Sequence, residues 1–397
     1  MAKNPSTATT NSVQLPDFLE QNDLAGFRNG GQILFATDDW FAVAENMLKP
    51  ETPQWKEGVF TEFGKWMDGW ETRRKRIAGH DWCIIRLGTS GVIHGLDVDT
   101  SFFTGNFTPK ISIQGACLGE DVVFPERKSE MGTAATKEQE DAMEKLATNE
   151  WDEIVPASSL LPGYKETCHN YFSIHSDKRW THLRLNMYPD GGIARLRVYG
   201  IAQPDWSKIS KHQLIDLVAM ENGGVCLGYS DVHFGHARNL LVGPRSLTMA
   251  DGWETARRLD RPAVLELDDK GVLKVEGREW AVFRLGHAGV IRRIEIDTNH
   301  FKGNYPDSCS VEGCVMSEEQ ERQCQANRHG KAKGDFSSCF WKTILPPSKL
   351  SGHKQHFYES TIKDVGPVTH LCLTMRPDGG ISRMRVWGYI RNLNAKM

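Results

Sequence analysis

The amino-acid sequence predicts an all-β protein made of two tandem antiparallel jelly-roll β-sandwich domains. Three observations carry this prediction. The chain of 397 residues is longer than one ordinary core supports, one sequence unit is written twice, and each copy consists of short apolar runs separated by Gly- and Pro-containing turns. The predicted organisation is a disordered tail at 1–14, a first repeat at 15–202, a linker with a short helix at 203–216, a second repeat at 217–390 and a C-terminal tail at 391–397.

Three long segments recur in the same order in both halves of the chain. Residues 27–48 align with 220–241, 81–107 with 279–305, and 181–200 with 369–388. The shared blocks include the letters NGG, DGWET, RLG and PDGGI. Because the repeated unit has the size of a whole domain, it is a duplicated domain rather than a solenoid repeat. Two residues at the same position of the two repeats are called twins.

The strands are predicted from short apolar runs that end at turn residues. The runs CIIRL at 83–87 and AVFRL at 281–285 are rich in β-branched and apolar residues and stop at Gly. Residues 183–200 predict a hairpin, because apolar residues alternate on either side of a Pro-Asp-Gly-Gly turn. Such a succession of short strands favours an antiparallel sandwich.

Helices are predicted at only two places, around Glu138–Thr148 and around Ser210–Met220. The first lies in a polar insertion at 119–150, and the second lies between the domains. The Trp of each DGWET block, Trp70 and its twin Trp253, is predicted to lie in the core, because large aromatic side chains after a turn are usually buried.

Composition excludes several classes of partner. Lys and Arg together number 48 and Asp and Glu 51, so the formal net charge is −3. Binding to nucleic acid or to a membrane surface is not expected, since both require a basic excess. Nine cysteines without a Cys-x-x-Cys pair predict free thiols in a reducing compartment. The final Ala-Lys-Met resembles a peroxisomal import tripeptide, so the predicted location is cytoplasmic or peroxisomal.

The repeated motifs resemble one known family. Two copies of NGG, DGWET, RLG followed by GVI, and PDGGI are similar to the allantoicase family over roughly residues 15–390. This resemblance implies two jelly-roll domains of the galactose-binding or discoidin type and a homo-oligomer. It also implies an activity in purine degradation, in which allantoate and water give ureidoglycolate and urea, with allantoate as the small-molecule partner.

The candidate catalytic residues are the glutamates of the DGWET blocks, Glu71 and its twin Glu254. Loss of urea from a ureide acid needs a proton donor for the departing nitrogen and a base for water, and Glu with a shifted pKa suits both roles. Arg74 and Arg257 follow closely and are candidate ligands of the substrate carboxylate, which a guanidinium binds through two oxygens. The alternative is that each Glu and Arg forms a solvated surface pair.

Further substrate-binding candidates come from the other shared blocks. Arg195 and Arg383 follow the PDGGI turns and are expected to face away from the core, either as a solvent face or as an anion clamp between domains. Asn29 and Asn222 begin the NGG turns, whose free N–H groups would cradle an oxyanion, although such turns are also common loop chemistry.

A mechanism without metal or other cofactor is the first expectation. A divalent metal stays possible, because three aspartates and their twins could converge on a hard cation: Asp38, Asp68 and Asp99, with Asp231, Asp251 and Asp297. Two other functions remain open, a tandem module that binds a small ligand or carbohydrate without catalysis, and a family member that has lost its activity.

Overall fold

A computed structural model describes residues 15–119 and 121–391, without the side chains at 328 and 329, and these residues form mainly β-strands. The predicted tail at 1–14 and the terminal Ala-Lys-Met lie outside the described residues. Both repeats share the main antiparallel strands in the same order, which confirms the all-β fold and the duplication.

The described residues of the first repeat form twelve strands. They are β1 Asn22–Asp23, β2 Gln32–Ala36, β3 Phe60–Thr61, β4 Gly64–Lys65, β5 Trp70–Glu71, β6 Asp81–Asp99, β7 Lys110–Ala116, β8 Asp152–Ser159, β9 His169–Ser173, β10 Arg179–Tyr188, β11 Gly192–Ile193 and β12 Arg195–Ala202. The order β8, β7, β10, β6 and β2 makes one layer, and the order β9, β6, β12 and β1 makes the other.

The second repeat follows the same plan. Its strands are β13 Ile215–Asp216, β14 Val225–Tyr229, β15 Trp253–Glu254, β16 Glu279–Asp297, β17 Ser308–Cys314, β18 Arg328–His329, β19 Ala332–Lys333, β20 Lys342–Lys349, β21 Gln355–Tyr358, β22 Val368–Arg376, β23 Gly380–Ile381 and β24 Arg383–Ile390. Strand β16 is the twin of β6, and each of these two strands is 19 residues long.

Strand β6 passes from one layer of the sandwich to the other. Its first part, through Arg86, pairs with β2 and β10, and its second part, from Gly91, pairs with β12 and β9. Between these parts lies Gly88, where an added Cβ would come within 2.0 Å of the backbone oxygen of Asn29. The RLG block therefore exists because the NGG turn packs directly on the backbone of the crossing strand.

The core fills the space between the two layers. Apolar residues at alternate positions, such as Leu185 in β10 and Leu196 in β12, are completely buried, as the predicted alternation requires. Trp70 and Trp253 are also completely buried, which confirms their predicted place in the core. Each indole Nε1 donates a hydrogen bond to a backbone oxygen, of Asp38 at 2.8 Å and of Asp231 at 2.9 Å.

Helix α1, Lys137–Lys145, lies where a helix was predicted in the polar insertion, and a capping box of Thr136 and Gln139 begins it. Helix α2, Glu318–Ala326, occupies the corresponding insertion of the second repeat, where no helix was predicted. The prediction of a helix around Ser210–Met220 is wrong. That segment contains β13, an edge strand on β24, because the Asp216 carboxylate accepts hydrogen bonds from the backbone N–H groups of Val218 and Val386.

No helix among the described residues is long and apolar enough to cross a membrane.

The two repeats contact each other through the beginning of the first repeat. Asn22 Nδ2 donates to the backbone oxygen of Gly224 at 2.9 Å, and His236 Nε2 lies 2.6 Å from Glu20 Oε2. Arg28 forms an ion pair with Asp251. Because these contacts are polar and largely buried, they fix the orientation of one repeat against the other.

Candidate active site

The DGWET block forms a two-residue strand at one end of each sandwich. In the first repeat β5 pairs with β11, so that Trp70 lies opposite Ile193 and Glu71 opposite Gly192. Since successive side chains of a strand point to opposite sides, burial of Trp70 directs Glu71 away from the core. Strand β15 pairs with β23 in the same manner and places Glu254 equivalently.

Glu71 is a largely buried carboxyl group with one polar partner among the described residues. Asn106 Nδ2 donates a hydrogen bond to Glu71 Oε1 at 2.6 Å. Burial raises the pKa of Glu71 to about 7, although the Asn106 hydrogen bond acts in the opposite direction. The carboxyl is therefore able both to donate and to accept a proton near neutral pH.

The second repeat reproduces the pair. Asn304 Nδ2 donates to Glu254 Oε1 at the same distance of 2.6 Å. The sequence alone assigned no role to these asparagines. The sequence feature that indicates them is the block Phe-x-Gly-Asn, which follows β6 and β16 in both repeats. Because both repeats have this Asn and also the Glu of the DGWET block, the amide and the carboxyl are candidates for a hydrogen-bonded pair.

An aromatic loop distinguishes the surroundings of Glu71 from those of Glu254. The hairpin of β3 and β4 carries Phe63, whose ring lies 5.7 Å from that of Trp40, and Trp40 lies just before the segment that pairs with Glu71. The chain between Leu241 and Asp251 is much shorter and contains no such hairpin among its described residues. The first repeat thus has additional aromatic surface near its carboxyl group.

Arg74 and Arg257 are exposed, and neither forms an ion pair or a hydrogen bond among the described residues. Their neighbours have partners: Arg73 pairs with Asp38 at 2.7 Å, and Lys75 pairs with Asp81 at 2.6 Å. Four cations follow the first DGWET block, and among the described residues Arg74 and Arg76 have no ion pair, so their guanidinium groups are free to bind an anion. Arg74 is the one that lies closer in sequence to Glu71.

Strand alternation predicted that Arg195 faces away from the core, on a solvent face or in an anion clamp between domains, but the residue is buried. It is 2% exposed, and its Nη2 forms an ion pair with Asp68 Oδ2 at 2.7 Å. Its other nitrogens donate to the backbone oxygens of Glu51, Asp68 and Ala194. The expectation failed because loops at the end of the sandwich cover this strand, and the saturated guanidinium leaves no donor for a substrate.

Arg383 is also buried, but its arrangement differs in one respect. Nε and Nη1 donate to the backbone oxygens of Pro244, Asp251 and Ser382. Nη2 has no hydrogen bond among the described residues, because the Asp251 carboxylate is bound instead by Arg28. Burial, followed by the charge of Arg385, lowers the pKa of Arg383 to about 10.

The NGG turns have no N–H groups free to cradle an oxyanion. The N–H groups of Asn29, Gly30 and Gly31 donate to the backbone oxygens of Gly26 and Phe27, and the side chain of Asn29 donates to Asp23. The turn around Asn222 makes the same hydrogen bonds. Gly30 has φ of 90°, and this left-handed conformation explains why both turns have Gly at this position.

The aspartates that were predicted to converge on a cation do not meet. Asp38 pairs with Arg73, Asp68 pairs with Arg195, and Asp99 lies apart at the end of β6. In the second repeat the Asp231 carboxylate accepts from a backbone N–H, while Asp251 and Asp297 pair with Arg28 and Arg245. Each carboxylate has partners of its own because each lies at a different turn.

A cavity of about 210 Å³ lies at the junction between the repeats. Its charged lining residues are Asp23 and Asp251, with Arg28, Arg197, Arg238 and Arg383. Because four guanidinium groups face two carboxylates, the cavity has an excess of positive charge and suits a small anion. Asn29 also lines this cavity, while Glu71 is not part of it.

Comparison with known proteins identifies the repeated unit. The family model "Allantoicase repeat" matches residues 22–203 and 215–391. A probable allantoicase of Pseudomonas fluorescens is 42% identical over 382 residues, covering 96% of this chain and 99% of the relative. A probable allantoicase of Pseudomonas paraeruginosa is 43% identical over 366 residues, covering 92% and 95%.

Solved structures of allantoicases are similar to this chain. The crystal structure of allantoicase from Saccharomyces cerevisiae is 34% identical, with a TM-score of 0.66, and the match covers 93% of each chain. A second structure, described as that of allantoicase, is 35% identical with a TM-score of 0.68, covering 92% of this chain and 93% of the other. The similarity therefore extends over both repeats.

Proposed function

This chain belongs to the allantoicase family, and from that premise we propose that it hydrolyses allantoate to ureidoglycolate and urea. The observation that carries the proposal beyond family membership is Glu71, a carboxyl group buried beside a fixed amide donor with its pKa raised to about 7. A group of this kind supplies the proton transfers that the reaction requires.

The chemistry assigns two successive roles to one carboxyl. The central carbon of allantoate carries a carboxylate and two ureido groups. Glu71 in its neutral form donates a proton to one ureido nitrogen as the bond from carbon to nitrogen breaks, and urea leaves. The resulting Glu71 carboxylate then accepts a proton from the water that adds to the same carbon, which gives ureidoglycolate and restores the neutral carboxyl.

Asn106 is proposed as a positioning residue. Its hydrogen bond to Oε1 fixes the carboxyl and leaves Oε2 for the substrate. Arg74, which has no ion pair among the described residues, is proposed to bind the substrate carboxylate. Glu254, Asn304 and Arg257 would form the corresponding site of the second repeat.

The junction cavity is a second candidate location for the substrate carboxylate. The observation in its favour is Arg383, which lines the cavity and whose Nη2 has no hydrogen bond among the described residues. An anion in the cavity would give this nitrogen a charge-assisted hydrogen bond. The Arg195 and Asn222 positions offer no comparable free donor.

The test is urea release from allantoate by the purified protein. Glu71→Gln should lower kcat by about 100-fold or more, the usual share of general acid–base catalysis. Glu254→Gln is the matched variant of the other repeat and shows whether both sites turn over. Glu71→Gln with normal turnover would remove Glu71 from the mechanism.

Arg74→Gln and Arg238→Gln distinguish the two carboxylate locations. A raised KM in Arg74→Gln alone places the carboxylate beside Glu71, whereas a raised KM in Arg238→Gln alone places it in the junction cavity. Folded protein that releases no urea, with or without added divalent metal, would instead indicate a binding module or a lost activity. Titration with allantoate and with galactose then separates those two possibilities.

We also propose a homo-oligomer. The segment 259–278 of the second repeat is longer than its counterpart in the first, and it exposes Leu259, Val264 and Leu267. Clustered exposed apolar side chains commonly mark a protein interface. Light scattering of the purified chain should give a multiple of 44.7 kDa, and Leu259→Ser with Val264→Ser should reduce it.

A further inference from the structure

Three potential metal ligands of different chemistry meet in the first repeat, and none of them is a residue of the DGWET block. Asp99 ends β6, Cys168 precedes β9, and His169 begins it. One carboxylate oxygen of Asp99, the Cys168 sulfur and one ring nitrogen of His169 all lie within 4.8 Å of one another. Asp99 and His169 face each other across the two paired strands, which holds their backbones in a fixed register.

The histidine is already oriented by a carboxylate. His169 Nδ1 lies 2.9 Å from Asp97 Oδ2, so that Nε2 is left for a ligand. A histidine that binds a metal through one nitrogen usually donates its other N–H to a carboxylate or carbonyl, which fixes the tautomer. Asp97 and Cys168 are buried, whereas the His169 side chain is 47% exposed, and this leaves a route from solvent.

The second repeat provides an internal comparison. Asp297, the twin of Asp99, is bound by Arg245, whose Nε and Nη2 lie 2.8 and 3.3 Å from its two oxygens. The residue paired with Asp297 across the strands is Gln355, where the first repeat has His169. The second repeat therefore neutralises its carboxylate with a guanidinium and has Gln in place of the histidine.

The first repeat has no such guanidinium among its described residues. Arg195 and Arg383 donate through Nε to the backbone oxygens of Glu51 and Pro244, which makes these two residues equivalent. The next residue is Thr52 in the first repeat and Arg245 in the second. Asp99 Oδ1 accepts one backbone N–H, from Ser101, and Oδ2 has no ion pair or hydrogen bond among the described residues.

We propose that the first repeat binds a divalent cation of the zinc type through Asp99, Cys168 and His169 Nε2, at the position that Arg245 fills in the second repeat. One thiolate, one imidazole and one carboxylate form a ligand set that zinc prefers, whereas magnesium and calcium prefer oxygen ligands alone. Three protein ligands leave a fourth position for water. None of its three ligands is a residue proposed above to take part in hydrolysis.

The experiment uses Co²⁺ as a spectroscopic probe of the full-length protein after removal of metals with a chelator. One equivalent of Co²⁺ should bind with near-ultraviolet absorption from thiolate to cobalt and with visible bands of tetrahedral Co²⁺. Added Zn²⁺ should displace it. No thiolate absorption in the folded protein would overturn the proposal.

Variants identify the site. Cys168→Ser and His169→Gln should abolish the thiolate absorption or weaken binding at least 10-fold, while Cys339→Ser should leave both unchanged. The last control is needed because Cys324 and Cys339 lie 3.6 Å apart, Sγ to Sγ. Absorption that survives in Cys168→Ser, or that is lost in Cys339→Ser, would contradict the assignment.

The repeats also supply a substitution that keeps every proposed ligand. Thr52→Arg introduces the arginine of the second repeat, and this guanidinium should occupy Asp99 and weaken Co²⁺ binding at least 10-fold with an unchanged circular dichroism spectrum. Arg245→Thr is the matched control and should create no second Co²⁺ site, because Gln355 replaces the histidine there. Equal Co²⁺ affinity of Thr52→Arg and the unaltered protein would refute the role of Asp99.

Discussion

Glu71 should destabilise the folded protein as pH rises, and Glu71→Gln should reveal this cost. Burial raises the pKa of the carboxyl from an ordinary value of 4.5 to about 7 in the folded state. Because the folded pKa is the higher one, the folded protein holds the proton more tightly. Its stabilising contribution is complete below pH 4.5 and is lost as pH rises through 7, a difference on the order of 3 kcal/mol.

The assay is the melting temperature of the unaltered protein and of Glu71→Gln between pH 5 and pH 8. Gln cannot ionise, so the advantage of the variant should grow by about 2.5 kcal/mol over this range. For a unit of 150–250 residues this is roughly 5–10 °C in Tm. Glu57→Gln, which removes an exposed carboxylate of the same repeat, is the matched control. A Tm difference between Glu71→Gln and the unaltered protein that stays constant with pH would refute the assignment of a raised pKa to Glu71.

Three further predictions rest on single contacts. Turnover should fall as pH rises through about 7, where Glu71 loses its proton. Asn106→Ala should move this inflection to higher pH, because the amide hydrogen bond favours the charged carboxyl. A pH–rate profile with an unchanged inflection would exclude Asn106 as a positioning residue of Glu71. Arg195→Met should cost roughly 3–5 kcal/mol in denaturant unfolding, since Asp68 stays buried without its partner. Gly88→Ala should prevent the first repeat from folding, whereas Gly105→Ala, which meets nothing within 4 Å, should leave circular dichroism and Tm nearly unchanged.

The duplicated sandwich could be predicted because the sequence patterns that indicate its strands involve residues close together in the chain. Alternation of apolar residues and Gly-containing turns depends on near neighbours in the chain, and the alignment of the two halves locates the same strands twice. The core position of Trp70 follows from the same reasoning. The helix predicted around Ser210–Met220 failed for the opposite reason, since β13 exists only through its pairing with β24.

The partners of charged residues could not be predicted, because they lie far apart in the chain. Arg195 and Asp68 are separated by 127 residues and meet only when loops cover the end of the sandwich. Strand alternation describes which face a side chain occupies but does not show whether a loop covers that face. The Asn106 partner of Glu71 was missed for the same reason, since 35 residues separate the two.

Identity between the repeats is also an incomplete guide to function. Asp68 and Arg195 are the same residue types as Asp251 and Arg383, yet only the first two form an ion pair with each other. The difference arises from Arg28, which lies at the junction, binds Asp251 and leaves Arg383 Nη2 without a carboxylate partner among the described residues. Asp68 and Arg195 bind each other in the first repeat. In the second repeat, Arg28 of the first repeat binds Asp251, so Arg383 is left to provide a binding surface for an anion.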